Sequence, residues 1–103
     1  MEKIEEVIFQ LIIHAGNARS SAMEAIYFSK QGDYVGARKA LHEAGEELSK
    51  AHKVQTSLIH QEAAGNKTTI SLLLVHAQDH LMNGITVKEM ATEFVELYER
   101  LSK

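Results

Sequence analysis

The chain has 103 residues, 45% of them hydrophobic and 24% charged, which suits one soluble globular domain and excludes a disordered or membrane-spanning segment. It contains no cysteine, which rules out disulfides, a thiolate nucleophile and cysteine-based metal sites. A formal net charge of −3 argues against nucleic acid as a main partner, because neutralising phosphates requires a basic face. Proline is absent and only six glycines occur, so long uninterrupted helices are expected. No segment alternates with a period of two, so a sheet is not expected. The opening MEKIEEVIFQ is acidic and amphipathic and lacks the pattern of a secretory signal, so a cytoplasmic protein is expected.

Residues 3–31 are expected to form the first helix, in which Ile4, Ile8, Leu11, Ala15, Ala18, Ala22 and Ala25 step by four and three residues in turn. From Ala15 onward the seam is made of small side chains, which let another helix come close. The tripeptide QGD at 31–33 ends the helix: Gly32 suits a left-handed C-terminal residue and Asp33 an N-cap. The second helix is expected over 34–64, with Ala37, Leu41, Ala44, Leu48, Ala51 and Leu58 on its seam and Gln55 as a polar interruption. AGNK at 64–67 is the next break, with Asn66 or Thr68 available to cap a third helix over 68–82. Asn83-Gly84 is expected to stop or sharply bend that helix. Thr86 and Glu89 have capping-box spacing, so a helix starts again over 87–102. Short connections make successive helices antiparallel neighbours. The expected fold is all-α: one domain over 1–103, an antiparallel bundle of three long helices with the third interrupted near Asn83-Gly84.

The most apolar run, SLLLVHAQDHLMNG at 71–84, carries three titratable residues in its middle. Such groups are costly to bury and are seldom buried without a partner or a task. Turning about 100° per residue from His76, Ile70, Leu74, Ala77 and Leu81 cluster between roughly 100° and 160° and form a stripe for the chain's own core. Leu72, Leu73, His76, Asp79 and His80 lie within about 60° of His76 on another face, and Val75 and Met82 on a third side. A helix apolar nearly all round needs more cover than two partner helices give, so other copies of the chain are expected to supply it. A closed cyclic assembly would gather several Asp79 carboxylates at its axis, where they repel unless a divalent cation with oxygen ligands lies between them. Gln78 lies about 200° from His76 and would assist it only from a neighbouring subunit.

Plainer readings stand beside this one. HAQDH alone is compatible with a polar helix surface, and His76, Asp79 and His80 have a spacing that also serves zinc. His14 is expected to be a hydrogen-bonded core histidine. His42, His52 and His60 are expected to face solvent or an interface, and Met23, Met82 and Met90 to be packing residues. No serine lies in a nucleophile elbow, and no glycine-rich phosphate loop is present.

Four stretches carry a resemblance: HAGNARSSAMEAI (14–26), QGDYVGARKAL (31–41), AHKVQTSLIHQEAAG (51–65) and LLLVHAQDHLM (72–82). Together and in this order the chain resembles the IIA component of the lactose/cellobiose type of the bacterial phosphoenolpyruvate-dependent sugar phosphotransferase system. The resemblance implies a homotrimeric helical phosphocarrier that accepts a phosphoryl group from phospho-HPr and passes it to a cysteine of a IIB component. It implies that His76 is the phosphoryl acceptor and that Gln78 and His80 are its polar neighbours, Gln78 from an adjacent subunit. It also implies that Asp79 holds a divalent ion, Mg2+, at the trimer axis. VHAQDH and HAGNARS look more like cellobiose or diacetylchitobiose members than lactose ones. No nucleic-acid partner and no membrane insertion are expected. The alternatives are a non-catalytic helical adaptor or regulatory module and a His/Asp metal-binding bundle.

Overall fold

The computed structural model describes residues 4–102. Three helices account for the fold: α1 (Ile4–Lys30), α2 (Tyr34–Ala63) and α3 (Leu72–Leu101). Among the described residues there is no strand. The helices run up, down and up in a rod of 55 × 21 × 20 Å. Helix α1 packs along both partners, whereas α2 and α3 touch each other less. The expected start of the first helix at residue 3 lies outside the described residues.

The seam read from α1 is the one that is buried. Ile8, Leu11, Ala15, Ala18, Ala22 and Ala25 all face inward, while Ile4, at the open end of the bundle, is exposed. The core is graded along the rod. At the end holding the α2–α3 connection, Ile8, Leu11, Leu58 and Leu81 fill it with large side chains. Further along, the fully buried residues are all alanines, Ala18, Ala22, Ala44 and Ala91, with half-buried Ile26, Leu41, Leu48 and Val87 packed around them. Ala25, Ala37, Ala40 and Val95 close the far end. Alanine at these contacts sets the helices close together and gives up no helix propensity.

The first two helix ends follow the expected chemistry. Gly32 and Gly65 have φ of 79° and 95°, the left-handed conformation that favours glycine. Asp33 N donates to the Phe28 carbonyl at 2.9 Å and Gly32 N to the Ser29 carbonyl at 3.0 Å, so the last carbonyls of α1 are satisfied in a Schellman arrangement. Asn66 N to Gln61 O at 2.9 Å and Gly65 N to Glu62 O at 3.0 Å repeat it at the end of α2. Asp33 caps α2, its carboxylate accepting from Gly36 N at 2.8 Å. At this end α2 is also tied to α3: Tyr34 Oη donates to the Tyr98 carbonyl at 3.2 Å, and Arg38 Nη1 lies 3.2 and 3.3 Å from the two Glu99 carboxylate oxygens.

The third helix departs from expectation twice. It begins at Leu72, not at 68, because Ser71 is the cap: its Oγ accepts from Leu74 N at 3.1 Å. Ile70 therefore lies outside the helix and is exposed, and the inward stripe is carried by Leu73, Leu74, Ala77 and Leu81; Leu73, expected on the His76 face, packs against the chain's own core. More important, α3 runs through Asn83-Gly84 without interruption to Leu101. Gly84 is buried against α1, and a Cβ built on it would lie 3.2 Å from the Ala15 carbonyl oxygen and 3.3 Å from Leu48 Cδ2. This glycine lets two helices touch and does not end one. Thr86 is accordingly an interior helical residue and not the start of a new segment.

Candidate functional site

Ser71 starts α3 so that its second and third turns display the polar residues of the run. His76 and His80, four apart, share one face. Their Nε2 atoms are 3.0 Å apart and their rings meet edge to face, with centroids at 4.4 Å and planes at 88°. His76 is exposed and His80 half-buried. An Nε2–Nε2 contact at this distance requires one ring to donate and the other to accept.

Asp79 is exposed beside this pair. Its Oδ2 accepts from Asn83 Nδ2 at 3.3 Å, one turn further along α3. Asn83 thus orients the carboxylate, a role hidden in the sequence by its position before a glycine. Gln78 sits on the side of α3 that looks toward α2. It is half-buried, and its Oε1 accepts from Gln55 Nε2 at 2.7 Å. The structure therefore joins His76 to His80 and sets Asp79 next to them, and it ties Gln78 to α2 and not to its own His76. Gln55 is the partner that sequence reasoning missed. Its one signal was an amide on an otherwise apolar seam.

Among the described residues no three His, Asp or Glu side chains converge to hold a metal ion. His76, Asp79 and His80 do not form a zinc site within one chain: the imidazoles face each other and the carboxylate faces Asn83. His14 is hydrogen-bonded, as expected, with Nδ1 2.5 Å from Glu47 Oε2, but it is part-exposed and not a core residue; Asn17 Nδ2 approaches the other Glu47 oxygen at 3.5 Å. His42 Nε2 lies 3.4 Å from Glu46 Oε1 on the exposed face of α2, and His52 and His60 are exposed. Met23, Met82 and Met90 are not core residues of the single chain; each is about half exposed, at 51%, 54% and 54%. With Leu72, Val75, Phe94 and Leu97 they leave long apolar stretches of α1 and α3 uncovered. A groove of about 780 Å³ opens between the start of α1, the end of α2 and the connection to α3, and it includes none of His76, Gln78, Asp79 and His80.

Fold and site together define an all-helical domain with an imidazole pair displayed on an open helix face. Residues 6–99 match the family model described as PTS system, Lactose/Cellobiose specific IIA subunit. The lichenan-specific phosphotransferase enzyme IIA component of Bacillus subtilis (strain 168) is 61% identical over 102 residues, spanning 99% of this chain and 93% of that protein. The crystal structure of the PTS cellobiose-specific enzyme IIA from Bacillus anthracis superposes with a TM-score of 0.95 at 56% identity, covering 99% of this chain and 94% of that one. The IIA(Chitobiose) solution structure in complex with HPr, from Escherichia coli, superposes with a TM-score of 0.87 at 44% identity over 100% of both chains. The chain belongs to the lactose/cellobiose-specific IIA family and is a component of a sugar phosphotransferase system. No helix among the described residues is long and apolar enough to cross a membrane.

Proposed function

We propose that this protein is a cytoplasmic phosphocarrier that takes a phosphoryl group from phospho-HPr on His76 and passes it to a cysteine of a IIB component, in uptake of a cellobiose- or chitobiose-type sugar. The observation that carries this reading is the exposed His76 ring with its Nε2 3.0 Å from His80 Nε2. With His76's own proton on Nδ1, its Nε2 lone pair accepts from His80 Nε2–H in the resting chain, and it attacks phosphorus in line once the His80 N–H has swung off it. The new P–N bond forms on His76 as the P–N bond to the donor histidine breaks. That histidine leaves with the bonding pair as neutral imidazole, and no net proton moves. The displaced His80 N–H donates instead to a phosphoryl oxygen, and Gln78 of a neighbouring copy offers amide donors to the others. The site lies on an open helix face and outside the 780 Å³ groove, which suits a protein partner better than a small molecule. A solved relative in complex with HPr supports the donor.

The same reading makes the working form a homotrimer. The uncovered apolar residues of α1 and α3 supply the seam, and three Asp79 side chains meet at the axis. Asp79 offers hard oxygen donors, and one chain brings a single carboxylate there, so the site fits a divalent ion such as Mg2+ only when copies share it. The ion offsets the repulsion among the carboxylates. Asp79 itself would repel a phosphoryl group, so its role is to hold chains together.

Incubation with phosphoenolpyruvate, enzyme I and HPr tests the carrier. The expected result is a mass gain of one phosphoryl group, stable in base and lost in acid, and absent from His76→Ala. Retention of the gain in His76→Ala would refute the assignment. Asp79→Leu removes both the repulsion and the ligand, and its expected product is a trimer without bound cation. A folded monomer in its place would show that ligation outweighs the apolar seam.

A further inference from the structure

We propose that Gln55 is a positioning residue for phosphoryl transfer: by holding Gln78 Oε1, it turns the Gln78 amide so that only N–H donors face the phosphoryl group on His76 of a neighbouring copy. The inference rests on the reading of His76 as the phosphoryl acceptor. Gln55 stands where the α2 seam would otherwise carry an apolar side chain, one turn from buried Ala51 and close to buried Leu58. A half-buried amide at such a place is costly unless bonded. Its partner is Gln78 at 2.7 Å, a short distance for an amide pair, and this bond links α2 to α3 two residues beyond His76.

The bond has a direction, and the direction has a consequence. Gln55 Nε2 donates and Gln78 Oε1 accepts. A primary amide is planar with its oxygen and nitrogen on opposite sides of one carbon, so anchoring the oxygen toward α2 sends the NH2 group away from it. Gln78 then presents two donors and no acceptor at the surface. A phosphoryl group, with negative charge on three oxygens, is stabilised by donors and repelled by a carbonyl oxygen. A Gln78 with no anchor would offer either end. Gln55 selects the useful one and removes the entropy of choosing at the moment of transfer.

Gln55→Glu tests this at constant size. A carboxylate only accepts, so it keeps the inter-helix bond but reverses it: Gln78 donates inward and turns its oxygen outward. The expected result is transfer from phospho-HPr slowed about tenfold at saturating donor, with KM little changed. Gln55→Met, which leaves the amide unanchored and adds no charge, is expected to slow transfer by about two- to threefold, since roughly half the orientations stay productive. Introducing Gln55→Glu into a Gln78→Ala background separates orientation from charge, and the substitution is expected to have no further effect there. Side-chain amide NMR reads the direction itself: slowed solvent exchange belongs to the Gln55 NH2 in the parent chain and moves to the Gln78 NH2 in Gln55→Glu. Parent-like transfer in Gln55→Glu, equal slowing in the Gln78→Ala background, or protection on Gln78 in the parent chain would each overturn the proposal. If the parent chain takes no phosphoryl group on His76, it is the functional reading that fails, and the NMR result still decides the orientation of the pair.

Discussion

Replacing Gly84 by alanine should destabilise the bundle, although the same change in most helix interiors does the opposite. Glycine inside a helix is unfavourable by about 1 kcal/mol relative to alanine. That gain is available at position 84, which lies well inside a 30-residue helix. Against it stands a Cβ 3.2 Å from the Ala15 carbonyl oxygen and 3.3 Å from Leu48 Cδ2. The leucine methyl can swing aside. The carbonyl belongs to the backbone of α1, which can retreat only by parting contacts on both sides of Ala15. Overpacking of this kind costs about 1–3 kcal/mol, so the net expectation is a loss of about 1 kcal/mol. Gly45 in α2 is the control, since a Cβ there meets nothing within 4 Å. Gly45→Ala should gain about 0.5–1 kcal/mol. The assay is urea unfolding of both single variants and the parent chain at one fixed protomer concentration, because assembly makes apparent stability depend on concentration. Opposite shifts in midpoint are expected. A Gly84→Ala variant stabilised as much as Gly45→Ala would refute the claim that this glycine exists for helix contact.

Two further substitutions probe single interactions. Ser29 is 2% exposed, and among the described residues its Oγ has no hydrogen-bond partner, so Ser29→Ala should raise stability by about 1 kcal/mol in the same urea assay; a clear loss would reveal a bond to this hydroxyl. Asp33→Ala deletes the acceptor for Gly36 N and should cost about 1 kcal/mol, while Asp33→Asn should recover most of it; equal loss in both would point to charge and not to capping.

Much of the bundle was legible because its determinants are local. The period of α1 needs only the spacing of Ile8 to Ala25, and the α1–α2 corner needs only Gly32 and Asp33. The pairing of His76 with His80 also follows from an interval of four on one helix. The errors fall where a local signal has two meanings. Asn83-Gly84 reads as a breaker when nothing is packed on it, but an α1 backbone in contact makes the missing Cβ an advantage. The start of the third helix moved because Asn66, Thr68 and Ser71 all cap helices by composition, and Ser71 is the one whose Oγ accepts from the backbone N–H three residues on, Leu74 N.

The sequence alone determined that the chain forms three helices, which stripe of α1 and of α2 faces inward, and that an imidazole pair stands on an apolar run, because periodicity and capping act within a few residues. Tertiary structure decided that α3 continues past Gly84 and that Gln55 reaches Gln78. Both depend on distances between helices that are far apart along the chain, and no pattern within one helix encodes how closely another will approach it.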